Sequence, residues 1–224
     1  VEIDQSKFSN FDGVGRGIVS MQEVLNQSLN TGVAHIVKVI GKDIFREYFL
    51  KLKLGTETGV DLPSEAHGLV QTLESHRDIE YATASFGQGI ALTPIATVRA
   101  LSTLANGGTL ITPHIVTEVE FENGKKRTVG FPPGERVFKE ETSEEITRML
   151  VEVVDSSLKG GTVAKERYAI AAKTGTAQIV DAGSGGYSED KYLHSFFGYF
   201  PAYDPQFLIF LYTTEPKGVR YASE

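Results

Sequence analysis

The chain has 224 residues, of which 41% are hydrophobic and 23% are charged, so it is long enough to bury the core of one domain. Its formal net charge is −7, which argues against nucleic acid as a partner, because phosphate binding requires clustered lysine and arginine. The absence of cysteine excludes thiol catalysis, disulfide bonds and thiolate metal sites. No apolar run approaches the ~20 residues that span a bilayer.

The first quarter of the chain is predicted to be helical. Ser20, with Glu23 three positions later, is typical of a capping box that starts a helix, and this helix is expected to end near Ser28–Asn30. Apolar residues at helical spacing predict two more helices, at about 31–40 and 43–52. Glycine and proline residues predict a loop after them, at 54–81.

Three further elements are predicted in the middle of the chain. Thr93 followed by Pro94 predicts the start of a helix, and Thr142 with Glu145 predicts a capping box on a later helix. Between them, alternating residues lead into Asn123-Gly124, which favours a β-hairpin. The face expected to be buried on the first of these helices consists of Ile95, Val98, Leu101 and Leu104.

The last third of the chain is predicted to form consecutive strands. Helices followed by strands long enough to pair indicate an α+β domain with an antiparallel sheet flanked by helices. The predicted strands are 168–172, 176–181, 193–200 and 207–214, with a glycine-rich loop at 183–186.

The most informative local feature lies between two of these predicted strands. Lys173 supplies positive charge, Thr174 and Thr176 supply hydroxyl donors for a carboxylate, and Gly175 lets a ligand approach the backbone. The alternative is a polar turn, and such a tripeptide occurs by chance in about one chain in twenty of this length. The Ser28–Asn30 segment is weaker, because Ser-x-Asn is expected about once by chance, and its alternative is a helix end capped by the asparagine.

Together with other segments, these two motifs resemble the transpeptidase domain of class B penicillin-binding proteins, in which S-x-x-K, a Ser-x-Asn element and K-T-G occur as a set. Their order and spacing agree along nearly the whole chain. The other segments that carry the resemblance are Gly59–Pro63 with Glu65, Phe86–Ile90, Thr93–Pro94, Ala105–Gly108, Gly160–Thr162, Ala171–Gln178 and Phe196–Ala202. The resemblance implies a penicillin-binding or serine β-lactamase-like fold.

The resemblance also implies an activity, that of a peptidoglycan D,D-transpeptidase. Such enzymes act through an acyl-serine intermediate on D-alanyl-D-alanine stem peptides and are acylated by β-lactams. Ser28 would then relay a proton, and Lys173 would maintain positive potential and support that relay. The backbone N–H of Thr176 would serve the oxyanion hole. The substrate-binding residues implied are Asn30, Thr174, Gly175 and Thr176.

The nucleophilic serine of the family is expected upstream of Val1. Residues 1–224 are therefore expected to be a partial transpeptidase domain, without the nucleophile and without the final strand and helix, and inactive alone. Two other S-x-x-K matches, Ser156–Lys159 at a predicted helix end and Ser188–Lys191 in a predicted acidic loop, are not in family order. The lysine of the loop match would stay protonated beside Glu189 and Asp190.

Two other functions stay open: a non-catalytic binding or scaffold module of the same fold, and a β-lactam sensor or hydrolase. An upstream Ser-x-x-Lys would separate the transpeptidase from the scaffold, and the deacylation rate would separate it from the hydrolase. No cofactor is expected, because Gly13–Gly17 lacks the preceding strand and the GK[ST] element of a nucleotide loop. No metal is expected, because the histidines lack ligand spacing.

The resemblance implies partners and a location as well. The expected ligands are the peptidoglycan stem peptide and β-lactam antibiotics. The parent protein is expected to be anchored at the extracytoplasmic face of the bacterial membrane, with other cell-wall synthesis proteins, and to act in division or elongation.

Overall fold

Helices and a three-stranded antiparallel sheet dominate the computed structural model, which describes residues 1–180, 183, 186–219 and 221–223. The helices are α1 (Met21–Asn26), α2 (Asn30–Ile40), α3 (Lys42–Lys51), α4 (Asp78–Ala84), α5 (Pro94–Ala105) and α6 (Glu140–Glu152). The strands are β1 (Glu2–Ile3), β2 (Ser6–Lys7), β3 (Thr109–Leu110), β4 (Glu118–Glu120), β5 (Lys126–Thr128), β6 (Glu135–Arg136), β7 (Ala171–Val180), β8 (Tyr187–Phe200) and β9 (Phe207–Thr214). The predicted α+β class with an antiparallel sheet is confirmed.

The main sheet has the strand order β7-β8-β9, so β7 is an edge strand within the described part of the chain. The smaller ladders pair β1 with β2, β3 with β6, and β4 with β5, all antiparallel. The β4–β5 pair is the hairpin predicted around Asn123-Gly124. None of the helices in the described ranges is long and apolar enough to cross a membrane.

Most of the early helices follow the local patterns. The Ser20 hydroxyl accepts from the Glu23 backbone N–H at 3.1 Å and caps α1, as predicted. The second half of the predicted capping box is not formed, because the Glu23 carboxylate accepts from Asn26 and Gln27 instead. Gly41, with φ of 88°, separates α2 from α3.

Helix α4 lies where a loop was predicted. Its first residues have no local side-chain cap, because the N-cap Arg77 makes no such bond. Instead, the Asp4 carboxylate accepts from the backbone N–H of Ile79 at 3.0 Å, across 75 residues of sequence. A cap that comes from so far away leaves no signal in the local sequence. The tyrosine of this helix, Tyr81, donates its hydroxyl to the Leu73 carbonyl at 2.6 Å.

The predicted faces of the later helices need correction. In α5 the most buried stripe differs from the predicted one: Ile95, Val98 and Leu101 are only half-buried, and Leu104 is half-buried against the core. The buried side chains are Ala96, Arg99, Ala100 and Thr103. Arg99 is tolerated there because its guanidinium donates to the carbonyls of Lys53 and Glu57 at 2.5 and 3.2 Å.

Helix α6 starts two residues before the predicted cap and packs against the main sheet. Its N-cap is Lys139, and Thr142 lies inside the first turn. At its other end it continues as a π-turn, Val153–Ser157, and a 3₁₀ turn, Leu158–Gly161. The core between this helix and the sheet contains Leu150, Val151, Ala171, Tyr199 and Ala202.

The last third contains one longer strand where two were predicted. The Lys173–Thr176 motif lies inside β7 and not between strands, and it is paired along its length with β8. The Ser188–Lys191 match, predicted in a loop, lies in β8. The predicted strand 207–214 is confirmed as β9. The predicted strand end Asp181, and Ser184 and Gly185 of the predicted loop, lie outside the described residues.

Candidate active site

The turn between α1 and α2 places Ser28 at the surface. The N–H of Ser28 donates to the Leu25 carbonyl at 3.2 Å, and the N–H of Leu29 donates to the Val24 carbonyl at 3.0 Å. These two bonds form a Schellman motif, which requires a left-handed residue at the position of Ser28. Val24 and Leu29 are both buried and supply the apolar contact of this motif.

Ser28 therefore occupies a position that usually carries glycine. Its φ is 52°, and a non-glycine residue in this region costs of order 1 kcal/mol or more. The side chain is exposed while Leu29 beside it is buried. The turn thus holds a serine hydroxyl outward on a rigid base.

Strand β7 brings Lys173 to this turn. The Lys173 Nζ donates to the Ser28 Oγ and, at 2.9 Å, to the Thr174 carbonyl. An ammonium carries three N–H donors, so these two contacts leave a third for a ligand. The structure thus brings together Ser28 and Lys173, two of the site residues that the resemblance implied.

Burial changes the acidity of this lysine. Lys173 is half-buried, and desolvation disfavours its charged form. Desolvation lowers the pKa of Lys173 to about 8 from its ordinary value of 10.5. A side chain with such a pKa is mainly protonated at neutral pH but can release its proton at modest cost.

The rest of the motif follows the strand. Gly175 lies opposite Ser195, and a Cβ on this glycine would meet the Ser195 Oγ at 2.7 Å. The Ser195 hydroxyl on the neighbouring strand therefore favours glycine at this position, a reason that sequence reasoning did not identify. The Thr176 Oγ1 accepts from the Ala222 N–H at 3.1 Å, and this leaves its own hydroxyl proton free to donate. Thr174 is half-buried on the same strand.

Asn30 begins α2 and lies two residues beyond Ser28. Its Nδ2 donates to the Ser9 carbonyl at 3.3 Å. Within the described residues its Oδ1 has no donor, so the amide can accept a hydrogen bond from a ligand. Asn30 is therefore the first residue of a helix. The alternative interpretation, in which it caps the end of the preceding helix, is wrong.

The Phe86–Ile90 segment joins the far end of β7, a contact that sequence reasoning missed. Gln88 Nε2 donates to Gln178 Oε1 at 3.3 Å, two residues beyond Thr176 along the strand. The N–H of Gly89 donates to the Tyr187 hydroxyl at 2.6 Å. These bonds tie the segment to β7 and β8 beside the motif.

The two in-chain S-x-x-K matches lie in other surroundings. The Ser156 hydroxyl donates to the Glu152 carbonyl at 2.7 Å, within its own helical turn. The Ser188 hydroxyl donates to the Asp190 carboxylate at 2.7 Å, and Lys191 forms an ion pair with Glu215 at 3.8 Å. Both hydroxyls thus donate to nearby oxygen atoms of the same helical or strand segment, whereas the Ser28 Oγ accepts from Lys173.

A family model described as the penicillin-binding protein transpeptidase domain matches residues 2–224. The chain belongs to this family. The class B penicillin-binding proteins include its relatives and its structural neighbours, so the resemblance found in the sequence is confirmed.

Two curated relatives illustrate the match. Stage V sporulation protein D of Bacillus subtilis is 36% identical over 219 residues, which cover 97% of this chain and 33% of the relative. Penicillin-binding protein PbpB of Mycolicibacterium smegmatis is 32% identical over 87% of this chain and 31% of its own length. The chain thus spans about a third of the length of these penicillin-binding proteins.

Solved structures agree on the fold. Penicillin-binding protein 3 of Mycobacterium tuberculosis, complexed with aztreonam, superposes with a TM-score of 0.89 at 26% identity, over 96% of this chain and half of that one. Penicillin-binding protein 2X of Streptococcus thermophilus superposes with a TM-score of 0.85 over 98% of this chain and 34% of that one. The second structure, at 22% identity, supports the fold alone.

Proposed function

We propose that this chain forms part of a peptidoglycan D,D-transpeptidase domain that acts through an acyl-serine on D-alanyl-D-alanine stem peptides and is acylated by β-lactams. The hydrogen bond from Lys173 Nζ to Ser28 Oγ, between residues 145 apart in sequence, carries the proposal. Family membership supports the reaction class, and a neighbour that was solved with aztreonam supports β-lactam binding.

Ser28 and Lys173 are suited to moving a proton. The Ser28 oxygen accepts a hydrogen bond from the lysine, which makes it a poorer nucleophile but leaves its own O–H free to donate. In acylation, the nucleophilic serine oxygen bonds to the carbonyl carbon, the C–N bond to the leaving group breaks, and the leaving nitrogen takes a proton. The proton of the nucleophilic serine passes to the lysine of its S-x-x-K motif, as the family resemblance implies, while Ser28 delivers the proton to the leaving nitrogen and recovers one from Lys173.

The remaining residues bind the substrate. The third N–H of Lys173 and the free hydroxyl proton of Thr176 suit the terminal carboxylate, together with the Thr174 hydroxyl. The Asn30 Oδ1 suits a substrate amide N–H. Because β7 is an edge strand among the described residues, an extended peptide can run beside Gly175, with the Thr176 N–H as an oxyanion donor.

We further propose that the nucleophile is a serine outside these 224 residues, upstream of Val1, so that the chain is a partial domain. The hydroxyls of Ser156 and Ser188 donate to oxygen atoms of their own elements, which supports this assignment. The parent protein is proposed to act in division or elongation at the extracytoplasmic face of the membrane, anchored there with other cell-wall synthesis proteins. A relative from Mesostigma viride, 32% identical and named a peptidoglycan D,D-transpeptidase FtsI homolog, supports a role in wall synthesis.

Intact mass after incubation with a penicillin tests the proposal. The chain and a longer polypeptide that extends upstream in the parent protein are compared, with the ring-opened penicillin as a control that cannot acylate. We expect an adduct on the longer polypeptide alone. An adduct on the 224-residue chain, mapped to Ser156, Ser188 or another of its serines, would show that the placement of the nucleophile is wrong.

Two other outcomes would contradict the transpeptidase itself. A folded longer polypeptide without an adduct would favour the non-catalytic scaffold. An adduct that forms and is then rapidly lost to water would favour a β-lactam hydrolase, and the mass spectrum followed over time distinguishes this case from a stable acyl-enzyme.

A further inference from the structure

The loop at residues 9–16 contains a buried asparagine that contacts the start of α2. Asn10 is 3% exposed. Its Oδ1 accepts from the Thr31 backbone N–H at 3.1 Å and from the Thr31 hydroxyl at 2.9 Å. Its Nδ2 donates to the Val14 carbonyl at 2.8 Å. Both the oxygen and the nitrogen of this side-chain amide thus have hydrogen-bond partners.

The contact with Thr31 replaces a missing helix cap. Leu29 is the N-cap residue of α2 and cannot accept a hydrogen bond through its side chain. Free N–H groups in the first turn of a helix need an acceptor. Asn10 provides one from 21 residues upstream, as Asp4 does for α4.

The same loop also contacts the other side of the Ser28 turn. The Arg16 Nε donates to the Gln27 Oε1 at 2.6 Å, and Gln27 is the C-cap residue of α1. Arg16 also donates to the Val14 carbonyl at 2.8 Å and is paired with Asp12. The 9–16 loop therefore contacts the residues before and after the turn.

A turn of this kind needs restraint from outside. Ser28 has a left-handed backbone that a serine adopts only at a cost, and such a conformation persists only when its surroundings fix it. Without the hydrogen bonds between Asn10 and Thr31, the Ser28 backbone could relax to a negative φ, and the Ser28 hydroxyl would then move away from Lys173. Displacements of about 1 Å at a reacting group can cost large factors in rate.

We propose that Asn10 is a positioning residue of the candidate active site, which acts by holding Thr31 so that Ser28 and Asn30 stay in place opposite Lys173. This inference rests on the proposed function for its kinetic consequence. Its structural content, that Asn10 restrains the Ser28 turn, does not depend on it. The Gly13–Gly17 segment overlaps this loop and, through Val14 and Arg16, belongs to the support of the site.

The test uses the full-length parent protein and three variants. Asn10→Ala removes both contacts of the side chain. Asn10→Asp keeps an acceptor for Thr31, but it loses the donor to Val14 and adds a negative charge near the Val14 carbonyl. Ser143→Ala is the matched control, because Ser143 is also 3% exposed and its hydroxyl donates to the Leu104 carbonyl at 2.6 Å, between α5 and α6.

The kinetic measurement separates positioning from general destabilisation. Penicillin acylation is followed by stopped flow to resolve the acylation rate constant from the dissociation constant of the noncovalent complex. Asn10→Ala is expected to lower the rate constant about tenfold and to weaken noncovalent binding by a smaller factor, because the Asn30 contact is disturbed while the carboxylate contacts of β7 are untouched. Asn10→Asp is expected to recover most of the rate, and Ser143→Ala to keep it.

Two results would overturn the inference: wild-type kinetics in Asn10→Ala, or an Asn10→Asp variant as slow as Asn10→Ala. If the wild-type protein is not acylated at all, the proposed function fails. The role of Asn10 in restraining the turn is then tested by amide hydrogen exchange alone. Amides of residues 28–33 must then exchange faster in Asn10→Ala than in wild type and Asn10→Asp. Equal exchange in all of them refutes the role of Asn10.

Discussion

The two sides of the candidate active site are built in different ways. The side formed by β7 is a regular strand, and each residue of its motif is paired with a residue of β8. The side formed by the Ser28 turn is irregular, with a left-handed serine between two short helices. Its position depends on side chains of the 9–16 loop, among them Asn10 and Arg16.

This difference indicates how each side responds to change. A strand in a ladder is fixed by its neighbours, so substitutions there act through local fit. The turn combines its own local hydrogen bonds with contacts from the 9–16 loop, so by our inference substitutions that touch no ligand can still displace it. The two sides meet at the bond between Lys173 and Ser28.

Breaking that bond is expected to have the largest effect. In the full-length protein, Lys173→Met removes the donor to Ser28 and should lower the penicillin acylation rate by about 10²- to 10⁴-fold, the usual contribution of a positioned proton donor. Lys173→Arg should stay slow, because a guanidinium does not release its proton. Lys191→Met, which removes an exposed lysine from β8, is the control, and stopped-flow acylation is the measurement. A rate within threefold of wild type in Lys173→Met would refute the relay.

The pH dependence of stability tests whether the half-buried Lys173, unlike the exposed Ser28 turn, is desolvated in the folded protein. Since burial lowers the pKa of Lys173 from 10.5 to about 8, the folded protein binds fewer protons than the unfolded one between these values. The penalty for burying the ammonium is thus fully present below pH 8 and is relieved as the pH rises toward 10.5. Relative to Lys173→Met, wild type should gain up to about 3 kcal/mol in free energy of unfolding over this window.

Urea unfolding at several pH values, followed by circular dichroism, measures this gain. The difference between wild type and Lys173→Met removes the contributions of the other titrating groups. A difference that stays flat, or that falls as the pH rises, would mean that Lys173 is not desolvated.

The smallest expected effect tests local fit on the strand side. Gly175→Ala places a Cβ against the Ser195 Oγ and should cost about 1 kcal/mol in free energy of unfolding. Because only the hydroxyl is in the way, Ser195→Ala in the same protein should remove most of that cost. A double-mutant cycle by denaturant unfolding measures the coupling. Additive effects of the two substitutions would show that Gly175 is required for another reason.

Elements with local signals could be predicted from the sequence. The α2 and α3 helices and strand β9 follow from apolar spacing and from glycine at Gly41. Helix α4 could not be predicted, because its cap comes from Asp4. The place of Lys173 inside a strand was missed because lysine and glycine are unfavourable strand residues, and here the pairing with β8 outweighs that preference.

The candidate site was predictable only in part. Family resemblance selected Ser28 and Lys173, but no periodic pattern brings together residues that lie 145 positions apart. Asn10 was not selected at all, because a single asparagine in a glycine-rich loop has no local pattern that marks it as a cap for a later helix. Long-range hydrogen bonds of this kind are visible only once the chain is folded.

The left-handed backbone of Ser28 limits which variants this position can accept. Glycine or asparagine would relieve the conformation but would remove the hydroxyl. Threonine would keep a hydroxyl, but β-branched residues are outliers at positive φ. The residues that suit the backbone therefore lack the hydroxyl needed for proton transfer. Threonine, which has a hydroxyl, does not suit the backbone. A complete substitution scan at this codon should accordingly leave serine as the sole fully active residue, with threonine losing folding stability and glycine losing activity.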